Sequence, residues 1–237
     1  MSGWVSLFSG GKDSAWALHR ALEEGLPVAR LVTVHPETDS HLYHVPATDL
    51  AGLAAESIGI ELVEIESTTR ADRTDSGTRG DAEIEPLEHA LSDLDDDLDG
   101  GLAGVIAGAV ESEFQTTRIE AMCERLGIQL CAPLWQRDPR ALADAMVDAG
   151  FEIRVIAVAA AGLDESWLGR TLDADAFDDL ETLNDEYGVH LLGEGGGFET
   201  LVTDGPHMHR PIELDYEAEW DGVRGRLRIT DAWLGES

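Results

Sequence analysis

The sequence predicts an α/β chain: a five-stranded parallel sheet with helices on both faces, followed by a smaller α+β part. Three observations predict it. Through residues 1–132, short apolar runs alternate with segments of helical period, the β-α-β-α-β rhythm of right-handed crossovers. The first apolar run breaks into Ser9-Gly10-Gly11-Lys12-Asp13-Ser14 and resumes with helical spacing, which marks a strand, a tight turn and a helix start. From Pro133 the rhythm is lost, and helices mix with short strands and a glycine-rich stretch, so residues 1–132 and 133–237 are expected to form two domains.

The elements follow in order. After the run that ends at Phe8, the spacing of Trp16, Ala17, Leu18, Ala21 and Leu22 gives a helix stopped by Gly25-Leu26-Pro27. Residues 28–35 are a strand apolar enough for burial on both faces. A turn at 36–40, a helix over 47–57 (Leu50, Leu53, Ala54) ended by Gly59, and a strand at 60–65 come next. Residues 66–81 carry no apolar period and read as a long loop. Its Arg70, Arg73 and Arg79 either offset local acid or meet an acidic or phosphate-bearing ligand. Ile84, Leu87, Leu91, Leu94 and Leu98 line one face of a helix over 83–98, whose acidic end lacks the Gly and Glu placement of a calcium loop. Residues 104–110 are a strand of small residues that lets a ligand or backbone come close. A helix runs from Glu111 to Gly127, with Ser112 and Gln115 at capping-box spacing, and 128–132 is the fifth strand. A reversal of strand order between the first and fourth strands would set 9–14 beside 108–115 in one crevice, the place where open α/β sheets bind ligands. In the second part, helices are expected at 139–149, 163–168 and 175–187 and a strand at 151–159. A turn at Asp204-Gly205-Pro206 precedes short alternating strands around Ile212, Leu214 and Tyr216 and around Leu227 and Ile229.

The turn at 9–14 has the chemistry of a phosphate cradle. Gly10 and Gly11 lack a Cβ and let the backbone approach a ligand. The first N–H groups of the following helix have no intrahelical partner and sit at the positive end of its dipole. Lys12 is the only lysine in the chain; all other basic side chains are arginines. A compact ammonium on a flexible stem suits phosphate charge that moves during a reaction.

Composition limits the rest. Asp and Glu outnumber Lys and Arg by 48 to 16, for a formal charge of −32, while apolar content is an ordinary 43%. A folded protein whose surface is adapted to high salt explains both, since screening shrinks to about 3 Å at 1 M. The expectation is a halophilic, archaeal source. That charge disfavours a nucleic-acid partner. Cys123 and Cys131 form no C-x-x-C pair and read as free thiols. No apolar run is long enough to cross a bilayer, and Met1 leads straight into a strand, so a cytoplasmic protein without membrane contact is expected. His35, His41 and His44 do not have metal-ligand spacing.

The spacing of 9–14 is not that of the Walker loop. Ser-Gly-Gly-Lys-Asp-Ser resembles the pyrophosphatase (PP) loop of the adenine nucleotide α-hydrolases, a superfamily with a HUP-type fold that cleaves ATP between its α and β phosphates. Further motifs narrow the resemblance: Asp39-Ser40-His41-Leu42-Tyr43-His44, Gly108-Ala109-Val110-Glu111-Ser112, Ala132-Pro133-Leu134-Trp135, Trp167-Leu168-Gly169-Arg170, Gly193-Glu194-Gly195-Gly196-Gly197-Phe198-Glu199-Thr200 and Asp204-Gly205-Pro206. In order and spacing they resemble the diphthine–ammonia ligase family over about residues 3–219. Two positions depart from the family pattern. Gly197 stands where an acidic residue is usual, and Thr116 where an arginine is usual.

The resemblance implies an ATP-dependent carbon–nitrogen ligase that uses ammonium to amidate diphthine, a modified histidine on elongation factor 2, releasing AMP and pyrophosphate. It implies a nucleotide site of Ser9, Gly10, Gly11, Lys12, Asp13, Ser14, Gly108, Ser112 and Gln115, with Asp13 the candidate Mg2+ ligand. Lys12, Asp13, Glu194 and Glu199 are the candidate catalytic groups. His44, Trp135, Glu194, Gly195, Gly196, Glu199, Thr200 and Asp204 are the candidate acceptor contacts, with Trp135 as a cation–π wall for the trimethylammonio group. The two glutamates could instead serve as caps or turn acceptors. A homodimer is compatible with all of this. Three rival readings compete. A tRNA-modifying PP-loop enzyme would want paired cysteines or a basic surface, and a glutamine-fuelled enzyme would want a glutaminase domain; the chain has none of these. A non-catalytic nucleotide sensor would bind ATP without releasing pyrophosphate.

Overall fold

The computed structural model describes residues 2–36, 47–67, 76–110 and 113–236. Strands β1 (Gly3–Leu7), β2 (Val28–Pro36), β3 (Leu62–Ser67), β4 (Leu102–Ile106) and β5 (Gln129–Cys131) form a parallel sheet in the order β3-β2-β1-β4-β5. Helices α1 (Lys12–Glu23), α2 (Ala47–Ile58), α3 (Ser76–Asp97) and α4 (Glu113–Leu126) connect them. The order reverses between β1 and β4, which pair in parallel from Gly3–Leu102 to Ser6–Ile106. The expected switch point is therefore at the carboxyl ends of β1 and β4.

The second part packs α5 (Pro139–Asp148) and α6 (Ala174–Tyr187) with a sheet of order β7-β6-β9-β8, built from β6 (Glu152–Val158), β7 (Phe198–Asp204), β8 (Ile212–Trp220) and β9 (Gly225–Leu234). Its pairings are all antiparallel. A 3-10 turn covers Glu165–Trp167. Side-chain caps start the helices where the sequence supplies them: Asp138 accepts from the Ala141 N–H ahead of Pro139, and Asp173 from the Ala176 N–H.

The two faces of the parallel sheet are covered differently. On one, Val5, Val32 and Val105 pack against Leu87, Leu91 and Leu94 of α3 and Ile119, Met122 and Cys123 of α4. On the other, Trp4, Phe8 and Leu31 meet Trp16, Leu18 and Ala21 of α1 and Ala54 and Ile58 of α2. That cluster runs without a break into Leu134, Met146, Ile153, Phe177 and Phe198 of the second part. The two parts share one apolar core on the α1 side, so their relative position is set by packing.

Several sequence expectations are corrected. The loop read over 66–81 is shorter, because β3 extends to Ser67 and α3 begins at Ser76; Pro86 sits inside that helix. The polar first turn of α3 has no apolar period, so periodicity could not find it. The third strand is Leu62–Ser67 rather than 60–65, and the fourth ends at Ile106 rather than Val110. No strand was expected at β7, whose start is masked by glycines. The last two strands are long, not short. Glu217–Arg228 and Glu219–Arg226 ion pairs cross between them on the solvated face, while Ile212, Leu214, Leu227 and Ile229 alternate with these charged residues along the strands. The motif 39–44 lies outside the described residues.

Candidate active site

The turn after β1 is held by its own side chains. Gly10 takes φ +78°, the left-handed region glycine tolerates. The Ser14 hydroxyl donates to the Gly11 carbonyl at 3.0 Å and receives the Ser9 N–H at 3.2 Å. Gly11 is the N-cap of α1 and offers no side-chain cap, so the helix's positive end stays open to an anion. A close approach keeps it so. A Cβ on Gly108, just past β4, would lie 2.6 Å from the Asp13 carbonyl group and 2.7 Å from the Ser14 N, so only glycine lets the β4 end touch the start of α1.

The glycine-rich stretch of the second part docks onto this turn. The Lys12 N–H donates to the Thr200 hydroxyl at 3.2 Å, and the Val202 N–H donates to the Gly10 carbonyl at 2.9 Å. Lys12 is 3% exposed. Its ammonium donates to the Leu192 carbonyl, pairs with Asp13 Oδ2 at 2.8 Å and lies 5.6 Å from the centroid of the Phe198 ring. The chain's one lysine is therefore at the seam between the two parts.

On the far side of the seam, Gly195 and Gly196 have φ of +77° and +81°, and a Cβ on either would meet nothing within 4 Å. The backbone there borders open space. Glu194 is half-buried and Glu199 has solvent access, but the surrounding protein raises the Glu199 carboxyl above its usual range by desolvation. A cation bound there would restore the charged form. Trp135 is half-buried in a turn whose next residue, Gln136, takes φ +55° and donates its N–H to the Val110 carbonyl, tying the turn to the end of β4.

Of the residues singled out in the sequence, the structure brings together Ser9, Gly10, Gly11, Lys12, Asp13, Ser14, Gly108 and Thr200. Glu194, Gly195, Gly196 and Glu199 lie in the same loop and strand start. Thr200, expected to touch the acceptor, turns its hydroxyl to the turn after β1 instead. Asp204 is not brought in. It ends β7, and its carboxylate accepts from the Gly205 N–H at 2.8 Å. Ser112, His44 and the side chain of Gln115 lie outside the described residues. Thr116 is 4% exposed within α4. Sequence reasoning missed the Leu192 carbonyl, Phe198 and His190. A backbone acceptor leaves no residue-type signal, and His190 stands just before the motif with no pattern of its own.

Asp13 bears on a metal. Its Oδ1 is buried with no hydrogen-bond partner among the described residues, while Oδ2 is on Lys12. One orphaned carboxylate oxygen at the start of α1 fits Mg2+, which keeps water and substrate phosphates as most of its ligands. No group of three or more His, Cys, Asp or Glu that could hold a metal occurs among the described residues. Burial raises both thiols, Cys123 to about 11, which leaves neither a nucleophile at neutral pH.

Two family models match the chain: the diphthamide synthase N-terminal domain over residues 3–130 and the C-terminal domain over 138–234. The chain belongs to the diphthamide synthase family. Among its relatives is a Danio rerio protein named diphthine–ammonia ligase, 36% identical over 222 residues that cover 89% of this chain and 86% of that protein. Proteins of the same name from Rattus norvegicus and Homo sapiens are 35% and 33% identical over 226 residues, each spanning 89% of this chain and 82% of the relative. No described helix is long and apolar enough to cross a membrane.

Proposed function

We propose that the protein is a diphthine–ammonia ligase: it amidates the carboxylate of diphthine on elongation factor 2 with ammonium, consuming ATP and releasing AMP and pyrophosphate. One observation carries this reading. The phosphate turn and the glycine-rich stretch typical of this family form a single seam, through Lys12 N–H to Thr200, Lys12 ammonium to Leu192, and Val202 N–H to Gly10. The relatives' shared name supplies the acceptor.

In this reading ATP is a co-substrate whose phosphates lie on Ser9, Gly10, Gly11, Lys12, Asp13 and Ser14, and Gly108, Ser112 and Gln115 also serve the nucleotide. A carboxylate oxygen of the acceptor attacks the α-phosphorus, and the α–β bridging oxygen leaves with pyrophosphate. Ammonia then adds to the acyl carbon and AMP departs with the carboxylate oxygen. Negative charge grows on the leaving pyrophosphate, where the open start of α1 and the Lys12 ammonium stabilise it. Asp13 would hold Mg2+, which supplies further charge neutralisation on the phosphates. Glu194, Glu199, Gly195, Gly196, Trp135 and His44 serve the acceptor side; the desolvated Glu199 carboxyl suits a cation, either the trimethylammonio group or ammonium. The domain boundary falls near Pro133, with nucleotide on residues 1–132 and acceptor on 133–237.

Pyrophosphate and AMP should form only when ATP, ammonium and diphthine-bearing elongation factor 2 are all present. ATP bound without pyrophosphate release would favour the sensor, and pyrophosphate formed only with tRNA would favour a different acceptor. The −32 charge further implies a halophilic host: the melting temperature should climb steeply from 0.1 to 3 M KCl, and a flat profile would refute that reading.

A further inference from the structure

We propose that His190 is a positioning residue that sets the height of the Leu192 carbonyl against Lys12 and thereby the pose of the lysine during pyrophosphate release; this rests on the ligase reading above. His190 lies between α6 and the glycine-rich stretch. Its Nδ1 accepts the Leu192 N–H at 3.1 Å and, more weakly, the Glu194 N–H at 3.4 Å. Its own carbonyl accepts the Gly193 N–H at 2.9 Å. One side chain and its backbone thus gather three successive amides, closing a tight turn.

The turn is anchored on both sides of His190. Val189, Leu191 and Leu192 are 3%, 7% and 2% exposed in the shared core, and Asn184 Nδ2 donates to the Val189 carbonyl at 2.8 Å. Gly193 takes φ +75°, and a Cβ there would lie 2.8 Å from the Phe198 carbonyl. The Leu192 carbonyl belongs to the 192–193 peptide, whose Gly193 N–H is held by the His190 carbonyl; His190 Nδ1 holds the amides of the peptides on either side and so fixes its tilt. The Leu192 carbonyl is the partner of the Lys12 ammonium, so a tilted peptide would relocate the charge that faces the phosphates. A displacement of about 1 Å at a reacting centre can cost up to a hundred-fold in rate.

The test compares His190→Ala with His190→Asn, whose Oδ1 can stand where Nδ1 does. His190→Ala should lower kcat for pyrophosphate release by about ten- to a hundred-fold, with the ATP Kd by calorimetry changed less than about three-fold. His190→Asn should recover most of the loss. In parallel, hydrogen exchange at the Leu192 and Glu194 amides should speed up in His190→Ala and stay slow in His190→Asn. Equal rates in both variants, or wild-type kcat and protection in His190→Ala, would overturn the proposal. If the wild-type protein releases no pyrophosphate with diphthine-bearing factor and ammonium, the ligase reading fails. The exchange pattern then still decides whether His190 holds the turn.

Discussion

The two parts of the chain meet along α1 at two junctions of opposite character. At its first turn the contact is polar: Lys12, Gly10 and the amides of 200–202 exchange hydrogen bonds, and charge sits beside open backbone. One turn further on it is aromatic. Phe151 lies at the centre, with ring centroids 5.3 Å from Trp16, 5.4 Å from His19 and 5.2 Å from His207. Neither ring nitrogen of His207 has a hydrogen-bond partner among the described residues. The polar junction keeps charged groups beside open backbone; the aromatic junction uses the His207 imidazole as if it were hydrocarbon. The first therefore reads as machinery and the second as adhesive, and single substitutions should separate activity from stability.

The largest effect is expected at the adhesive. Phe151 is 6% exposed, and Phe151→Ala opens a cavity in the centre of the cluster. Loss of about 3–5 kcal/mol of stability is expected from such a truncation, measured by denaturant melts at fixed high salt. The kcat of the folded fraction should stay within about three-fold, because no atom of the phosphate turn loses a partner. A kcat collapse without loss of stability would erase the distinction between the junctions.

Lys12→Ala should do the reverse. Removing one preorganised donor from a developing anion typically costs about a hundred-fold or more in kcat. ATP affinity, read by calorimetry, should weaken much less. Lys12→Arg should not rescue, since a planar fork cannot occupy the space between the Leu192 carbonyl and Asp13 Oδ2. Unchanged pyrophosphate release in Lys12→Ala would remove the lysine from the mechanism.

The aromatic junction also carries a pH signature. Burial, with His19 beside it, pushes His207 down to about 4, and burial lowers His19 as well. A histidine kept neutral in the folded state binds its proton later than the unfolded chain does. Stability is therefore complete above about pH 6.5 and is lost as pH falls toward 4, by roughly 3 kcal/mol at most for a displacement of this size. Carboxylates titrate in the same window, so the measurable quantity is a difference. His207→Phe should flatten the slope of melting temperature between pH 6.5 and 4 relative to the parent, while activity at neutral pH is retained. An identical slope in both proteins would show that the ring is hydrated.

The parallel sheet was legible because its strands are buried on both faces and its turns end in glycine; the switch point followed from the same rhythm. The turn at Ser9–Ser14 was legible for a related reason, since the left-handed backbone at Gly10 is tied to its residue type. Legibility failed where backbone does the work or where the apolar period is absent. β7 begins directly behind Gly195, Gly196 and Gly197, so its alternation starts too late to register. Residues 76–82 offer no apolar period. The seam itself depends on a carbonyl at Leu192 and an amide at Val202, contacts that any residue could make.

The smallest expected effect concerns the open side of the polar junction. Desolvation holds the Glu199 carboxyl above its usual range, which means that folding disfavours its ionised form. A carboxyl raised on folding costs nothing when protonated in both states and costs most once pH exceeds the folded value. Glu199→Gln should therefore match the parent's melting temperature below the ordinary carboxylate range and exceed it slightly near neutrality, with the gap opening as pH rises. The same variant should slow amidation while leaving ATP binding near normal, because no hydrogen bond of the phosphate turn involves the Glu199 side chain among the described residues. A cationic acceptor would narrow the stability gap by restoring a partner to the carboxylate. If Glu199→Gln gains stability and keeps full amidation, the residue is merely strained, and the acceptor's cation must be sought at Glu194.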